Sequence, residues 1–228
     1  ILIEIIKCYN YYFQKKFHLM LETAREAEKS LQFISKRELF MKECFLHRIS
    51  EVLGPVYLHL NNLKLARHYA FTIINAEICA KTVSDASYIV GMSYLLEDGR
   101  KCVEFLQKSF DISKTIGDQD IENEARLNLD FAKLYLEVPL DDDSDETLLN
   151  YQENKSEVNL NSLKEVMYQR GDDDLIRLFE AKMRGTDEKL HECLNEFFQQ
   201  SNYFFSSLIV KVMREKGDKS YWTENVIK

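Results

Sequence analysis

The chain has 228 residues, 45% of them hydrophobic and 30% charged, and carries a formal net charge of −8. That mix buries a core and excludes a disordered chain. The acid excess and the lack of a Lys/Arg cluster exclude a nucleic-acid face of the chain's own, because phosphate affinity comes from counterions released at grouped cations. Two prolines and seven glycines are too few turn formers for a β protein and predict long helices on short turns. No apolar run reaches the roughly 20 residues of a membrane span, and ILIEII, interrupted by Glu4, is too short for a signal peptide. The five cysteines, Cys8, Cys44, Cys79, Cys102 and Cys193, are odd in number and widely spaced, which predicts reduced, buried thiols of a cytoplasmic protein.

Helices are predicted near 1–14, 17–33, 37–60, 63–80, 84–97, 100–116, 119–137, 145–154, 161–170, 173–184, 187–201, 203–216 and 219–227. Ser84, Asp118, Ser144 and Asp187 stand as N-caps or first-turn residues, and Gly99, Gly117, Gly171, Gly185 and Gly217 stand where helices should stop. Ile1 opens inside an apolar helical pattern with no cap before it, so the chain is expected to be a fragment with sequence upstream. Pro55 inside the third helix is expected to kink or split it.

A tetratricopeptide-like repeat runs through these helices: a small residue, an aromatic, a turn, then small or apolar residues that let a second helix return close to the first. Its copies are Cys8, Tyr11, Lys15, Phe17, Met20, Ala24 and Ala27; then Gly54, Tyr57, Asn61, Leu63, Ala66, Ala70 and Ile73; then Gly91, Tyr94, Asp98-Gly99, Val103 and Phe110. A fourth begins at Ala132 and Tyr135 before Pro139, and a weak one passes through Leu190, Cys193 and Phe197. The fold class predicted is all-α, a right-handed superhelix (solenoid) of degenerate helix pairs. PLDDDSDE breaks the composition. It divides the chain into repeats over 1–138, an exposed acidic linker over 139–146, and a C-terminal block over 147–228 that caps the solenoid or dimerises through Tyr221–Ile227.

Chemical motifs fail on inspection. Asp141, Asp143 and Asp145 have calcium-loop spacing, but Glu146 replaces the obligatory glycine and Gln152 the bidentate Glu. Asp172, Asp173 and Asp174 read as a helix-cap region favoured by the macrodipole. The five histidines make no metal-ligand pattern, and no phosphate loop or nucleophile elbow occurs. The chain is expected to be no enzyme and to hold no metal and no cofactor.

The first helix of each pair lines the concave side of such a solenoid. Its inward positions hold Leu2, Ile5, Tyr9, Tyr12 and Phe13 in the first copy and Arg48, Glu51, Pro55, Leu58 and His59 in the second. The third presents Asp85, Tyr88, Met92, Leu95 and Leu96, and the fourth Arg126, Leu129, Lys133 and Glu137. Aromatic surface mixed with both charge signs suits a short peptide, whose backbone and termini need polar partners. The bland reading is that these side chains meet another helix of the same chain.

Three stretches, CYNYYFQKKFHLML (Cys8–Leu21), CFLHRISEVLGPVYLHLNNLKLARHYA (Cys44–Ala70) and ASYIVGMSYLLEDGRKCVEFLQKSFDISKTIGD (Ala86–Asp118), resemble the repeat region of the arbitrium receptors (AimR) of Bacillus phages. These belong to the RRNPP group of peptide-pheromone receptors. The resemblance weakens after Pro139. It implies a cytoplasmic, homodimeric, all-helical receptor for a short signalling peptide. DNA contact would come only through an N-terminal helix-turn-helix missing from this chain, and peptide binding would bias lysis against lysogeny. It also implies a peptide site at Pro55, His59, Lys81, Met92 and Tyr203. Relatives tend to carry Asn at the first, second and fourth of these positions, Arg at the third and Asp at the fifth. Lys81 keeps charge without the planar fork of Arg. Pro55 and Met92 lack amide hydrogen bonds, and Tyr203 lacks a carboxylate to pair with a peptide arginine. A general tetratricopeptide scaffold, or an RRNPP-type regulator acting on a protein partner, are the alternatives.

Overall fold

The computed structural model describes residues 1–170 and 173–218 and contains no strand among them. The fold class is all-α, as expected. The helices are α1 (Leu2–Phe13), α2 (Phe17–Leu31), α3 (Leu39–His59), α4 (Leu63–Ala76), α5 (Ala80–Ser93), α6 (Gly99–Lys114), α7 (Gln119–Tyr135), α8 (Glu146–Glu153), α9 (Glu157–Arg170), α10 (Asp173–Arg184), α11 (Asp187–Gln199) and α12 (Tyr203–Glu215). The helix predicted over 219–227, the Tyr221–Ile227 segment, Gly171 and Asp172 lie outside the described residues. None of the described helices is long and apolar enough to cross a membrane.

Contacts divide the chain into two compact units. One holds Ile1–Leu58 and Asn62–Ala132; the other holds His59–Asn61 and the chain from Lys133 onward. In the first unit α1 packs on α2, α4 on α5 and α5 on α6. The small repeat residues do what their size predicts. Ala24, Ala27, Ala66 and Ala70 are wholly buried, and a Cβ at Gly54 would sit 3.3 Å from Ile89 Cδ1 of α5 and 3.9 Å from the Ala70 nitrogen of α4. At Gly91 the approach is closer: a Cβ there would lie 2.7 Å from Leu106 Cγ and 3.1 Å from the Cys102 carbonyl oxygen of α6. The repeat aromatics fill the gaps between helices. Tyr57 stacks on Tyr69 with centroids 5.6 Å apart, and the Tyr69 hydroxyl donates to Glu28 of α2 at 2.9 Å.

Several turns share one device. Lys15, Asn61, Glu137 and Ser201 adopt positive φ. In each case the following amide donates to the carbonyl five residues before it: Lys16 to Tyr11, Asn62 to Tyr57, Val138 to Lys133 and Asn202 to Phe197. This 6→1 closure satisfies a carbonyl that the helix end would leave open. Gly217 closes α12 in the same way, through Asp218 to Met213.

In the second unit α8 packs on α9, α9 on α10, α10 on α11 and α12, and α11 on α12. Leu190, Cys193 and Phe197 of the weak late repeat are buried there.

Of the two effects expected of Pro55, the split does not occur: α3 is one continuous helix with Pro55 inside it. Three local expectations are corrected. α5 begins at Ala80 rather than Ser84. Ser84 is buried, and its hydroxyl donates to the Ser109 carbonyl at 2.8 Å while the Ser109 hydroxyl donates to the Ser84 carbonyl at 2.9 Å. Gly99 opens α6 instead of ending a helix, with Asp98 as the cap that accepts from the Lys101 amide. Asp145, not Ser144, caps α8. Asp118 does bond the first turn of α7, accepting from the Asp120 amide at 3.0 Å.

The stretch 139–146 is only partly exposed: Leu140 and Ser144 are buried. Gln152 of α8 accepts from the Leu140 amide and donates to the Val138 carbonyl, both at 2.8 Å. The thiols are also mixed. Cys8, Cys102 and Cys193 are buried, as expected, but Cys44 is half-buried and Cys79 exposed. Burial pushes the Cys8 thiol up to about 11 and the Cys102 thiol up to about 12, so neither is a thiolate near neutral pH.

A polar face on the first helices of the repeats

α1, α3 and α5 are the first helices of consecutive pairs, and a polar network joins them within the first unit. The Tyr9 hydroxyl of α1 donates to Glu51 Oε2 of α3 at 2.7 Å. Arg48, one turn earlier on α3, directs Nη1 at both Glu51 oxygens, 3.1 and 2.8 Å away. The Glu51 side chain is 14% exposed and that of Arg48 is 59% exposed, so a solvated guanidinium covers a recessed carboxylate. Burial, reinforced by Glu51, pushes the Tyr9 hydroxyl up to about 12, which keeps it a donor.

His47 links α3 to α5. It is buried, its Nε2 lies 3.2 Å from the Thr82 hydroxyl and 3.9 Å from Glu51 Oε1, and its Nδ1 has no protein partner. Burial holds its pKa below the usual imidazole range, against the pull of Glu51. A turn before Asp85 on the same helix, Lys81 donates to that carboxylate at 2.8 Å, both groups more than half exposed. That bond holds the lysine charged, and Glu124 of α7 adds to the effect.

The predicted site residues therefore separate. Arg48, Glu51, Lys81, Asp85 and the half-buried Tyr88 stand on α3 and α5 of the first unit, and Pro55 lies half-buried on α3. Met92 and Leu129 are buried, with 2% and 0% exposure, as are Leu58, Leu95 and Ile5. Arg126 donates to the buried Asp130 at 3.1 Å and lies over the Phe110 ring. Three positions belong to the second unit. His59 is half-buried at the end of α3. Lys133 is 5% exposed and donates to Asp141 at 2.7 Å. Half-buried Tyr203 opens α12 edge-on to Phe198. Sequence reading missed His47 and Thr82. The four-residue step from His47 to Glu51 was a visible signal; Thr82 sits next to Lys81 but owes its role to helix register.

The network offers hydrogen-bond donors, acceptors and both charges along a row of helices, the chemistry of holding an extended polar ligand. Among the described residues no group of three His, Cys, Asp or Glu could hold a metal ion.

The family profile described as AimR transcriptional regulator-like matches residues 1–215. The chain belongs to this family. Its AimR-like helices superpose on solved AimR structures. The selenomethionine form of phAimR matches with a TM-score of 0.73 at 16% identity, over 95% of this chain and 58% of that one. Ligand-bound phAimR matches with a TM-score of 0.69, also at 16% identity, over 94% of this chain and 66% of that one. At that identity the likeness concerns the fold. The AimR-like chain spans less than two thirds of the length of either structure. Comparison with curated proteins gives no match.

Proposed function

We propose that this chain is the ligand-reading part of an AimR-type transcriptional regulator, and that the ligand is a short signalling peptide held on the polar face of α1, α3 and α5. The supporting observation is the Tyr9–Glu51–Arg48 network on α1 and α3 together with the Lys81–Asp85 pair on α5, in a family of regulators with a solved ligand-bound member. Arg48 and Lys81 offer exposed cations to a peptide carboxylate, Glu51 and Asp85 offer carboxylates to its amine or basic side chains, and Tyr88 offers apolar surface. Pro55, His59, Met92, Arg126, Leu129, Lys133 and Tyr203 complete the set implied by the family resemblance. Met92 and Leu129, being buried, would contribute by packing.

The wider reading follows the resemblance. Residues 1–138 read the peptide, 139–146 link, and 147–228 cap the repeats or dimerise. The protein acts without catalysis in the cytoplasm of a bacterial host as a homodimer, binds DNA through a segment upstream of this chain, and biases lysis against lysogeny.

Isothermal titration of the purified chain with short peptides of the arbitrium type, beside scrambled controls, tests the core of this reading. Saturable binding is expected, weakened about tenfold or more by Lys81→Ala or Arg48→Ala, the usual loss on truncating a charged interface anchor. A folded protein that takes up none of the peptides, or binds scrambled ones equally, returns the chain to a general repeat scaffold.

A further inference from the structure

The connection from α2 to α3 carries an apolar surface that nothing in the polar face requires. Phe33 is 82% exposed, Phe40 75% and Leu39 57%. All three sit on one short stretch, and its backbone is ordered by its own hydrogen bonds: Phe33 to Ser30, Ile34 to Leu31 and Glu38 to Ser35, with the Ser35 hydroxyl accepting from the Arg37 amide. The exposure is thus held in place by a turn and a short 3-10 helix, Lys36–Glu38. Two phenylalanines presented this way are an interaction surface rather than the scattered apolar exposure of any soluble protein.

Charge says what covers it. Lys36 and Arg37 are exposed and Lys42 is half-exposed, and among the described residues none of these three cations has an ion-pair partner. Elsewhere in the first unit Arg48, Arg67, Lys81, Lys101 and Arg126 each hold a carboxylate. On a chain of net charge −8, three unpaired cations against the two carboxylates Glu38 and Glu43 leave this aromatic corner with a local positive excess.

We infer that this corner docks an acidic, amphipathic segment of a partner protein. Apolar side chains of the segment cover Phe33, Leu39 and Phe40, and its carboxylates meet Lys36, Arg37 and Lys42. A protein segment fits better than an anionic bilayer. Screening confines a small segment's electrostatics to about a Debye length, roughly 8 Å, so it feels the corner; a charged plane meets the whole acidic chain.

The test is fluorescence anisotropy with a labelled amphipathic helical peptide bearing Glu on one face and Leu and Phe on the other, and with its Lys-for-Glu counterpart. Vesicles of phosphatidylcholine and phosphatidylserine, and sedimentation velocity of the protein alone, run beside it. The acidic peptide is expected to bind saturably. Affinity should fall about tenfold or more in F33S/F40S and in K36E/R37E, the drop expected on removing a central anchor. These variants keep the wild-type circular dichroism and melting, since the side chains are exposed; the Lys peptide does not bind, and Lys81→Ala leaves binding unchanged. No binding of the acidic peptide, or binding indifferent to both double variants, overturns the inference. Capture by vesicles without peptide binding overturns it in favour of lipid. Self-association abolished by F33S/F40S overturns it in favour of a second copy.

Discussion

His47 shows how a single buried side chain sets a pH response. Its imidazole is desolvated against Thr82, with Glu51 and Arg48 close by on its own helix. The folded protein therefore prefers it neutral, and its folded pKa lies below the ordinary value of 6.5. The unfolded chain binds the proton more readily, so this contribution to stability is complete above the unfolded pKa and is lost as pH falls from there toward the folded one. Urea midpoints at about pH 7.5 and about pH 5.5 should show that loss in the wild type, and His47→Gln, which keeps a donor toward Thr82, should flatten it. An unchanged slope in the variant would remove His47 from the response. Gly91 makes a packing prediction of the same kind. The Cβ of Gly91→Ala would press on Leu106 Cγ and the Cys102 carbonyl, and backbone cannot retreat as a side-chain tip can. The expected cost is about 1–3 kcal/mol by denaturant titration. Gly54→Ala, which meets only the flexible end of Ile89 so closely, should stay within about 1 kcal/mol, aided by alanine's helix propensity. Residue size at these places was legible in the sequence, because a repeat demands small residues at fixed steps. The pairing of His47 with Thr82 was not, since it depends on register across two intervening turns.

Among the elements, α5 shows where local reading stops. A serine ahead of an apolar run signals a cap, and Ser84 was expected to start the helix. Packing outranks the local preference here: Ser84 is buried against Ser109 of α6, the two hydroxyls exchanging bonds with each other's backbone carbonyl. Cys79, with extended backbone angles, takes the cap position. The helix order, most boundaries and the turns at Lys15 and Asn61 were readable, because apolar period and breakers are properties of the segment itself. The serine exchange is not, since its two halves lie on different helices. Ser84→Ala and Ser109→Ala should each lower stability by about 1 kcal/mol. The double variant should lose less than twice that, because their hydroxyls, 3.1 Å apart, share one network. Strict additivity in urea titrations would mean the two bonds act independently.

For the whole molecule, the segment between α7 and α8 matters most to handling the protein. Its acidic composition read as an exposed linker, yet Gln152 ties Leu140 and Val138 to α8 and Lys133 holds Asp141. Gln152→Ala should free the exposed Asp142 and Asp143, and limited digestion with an Asp-specific protease should then cut there several-fold faster, as expected when a locally opened segment loses its ties. Equal rates would show that Gln152 does not restrain it. The 6→1 turns carry a consequence for how much sequence the fold demands. A left-handed residue other than glycine costs roughly 1 kcal/mol, yet Lys, Asn, Glu and Ser all occupy that place here. What recurs at these junctions within the chain is a backbone shape, not a letter. A corner of this kind therefore accepts many residue types, so a shared fold, such as the TM-score of 0.73 at 16% identity, requires no shared letter there.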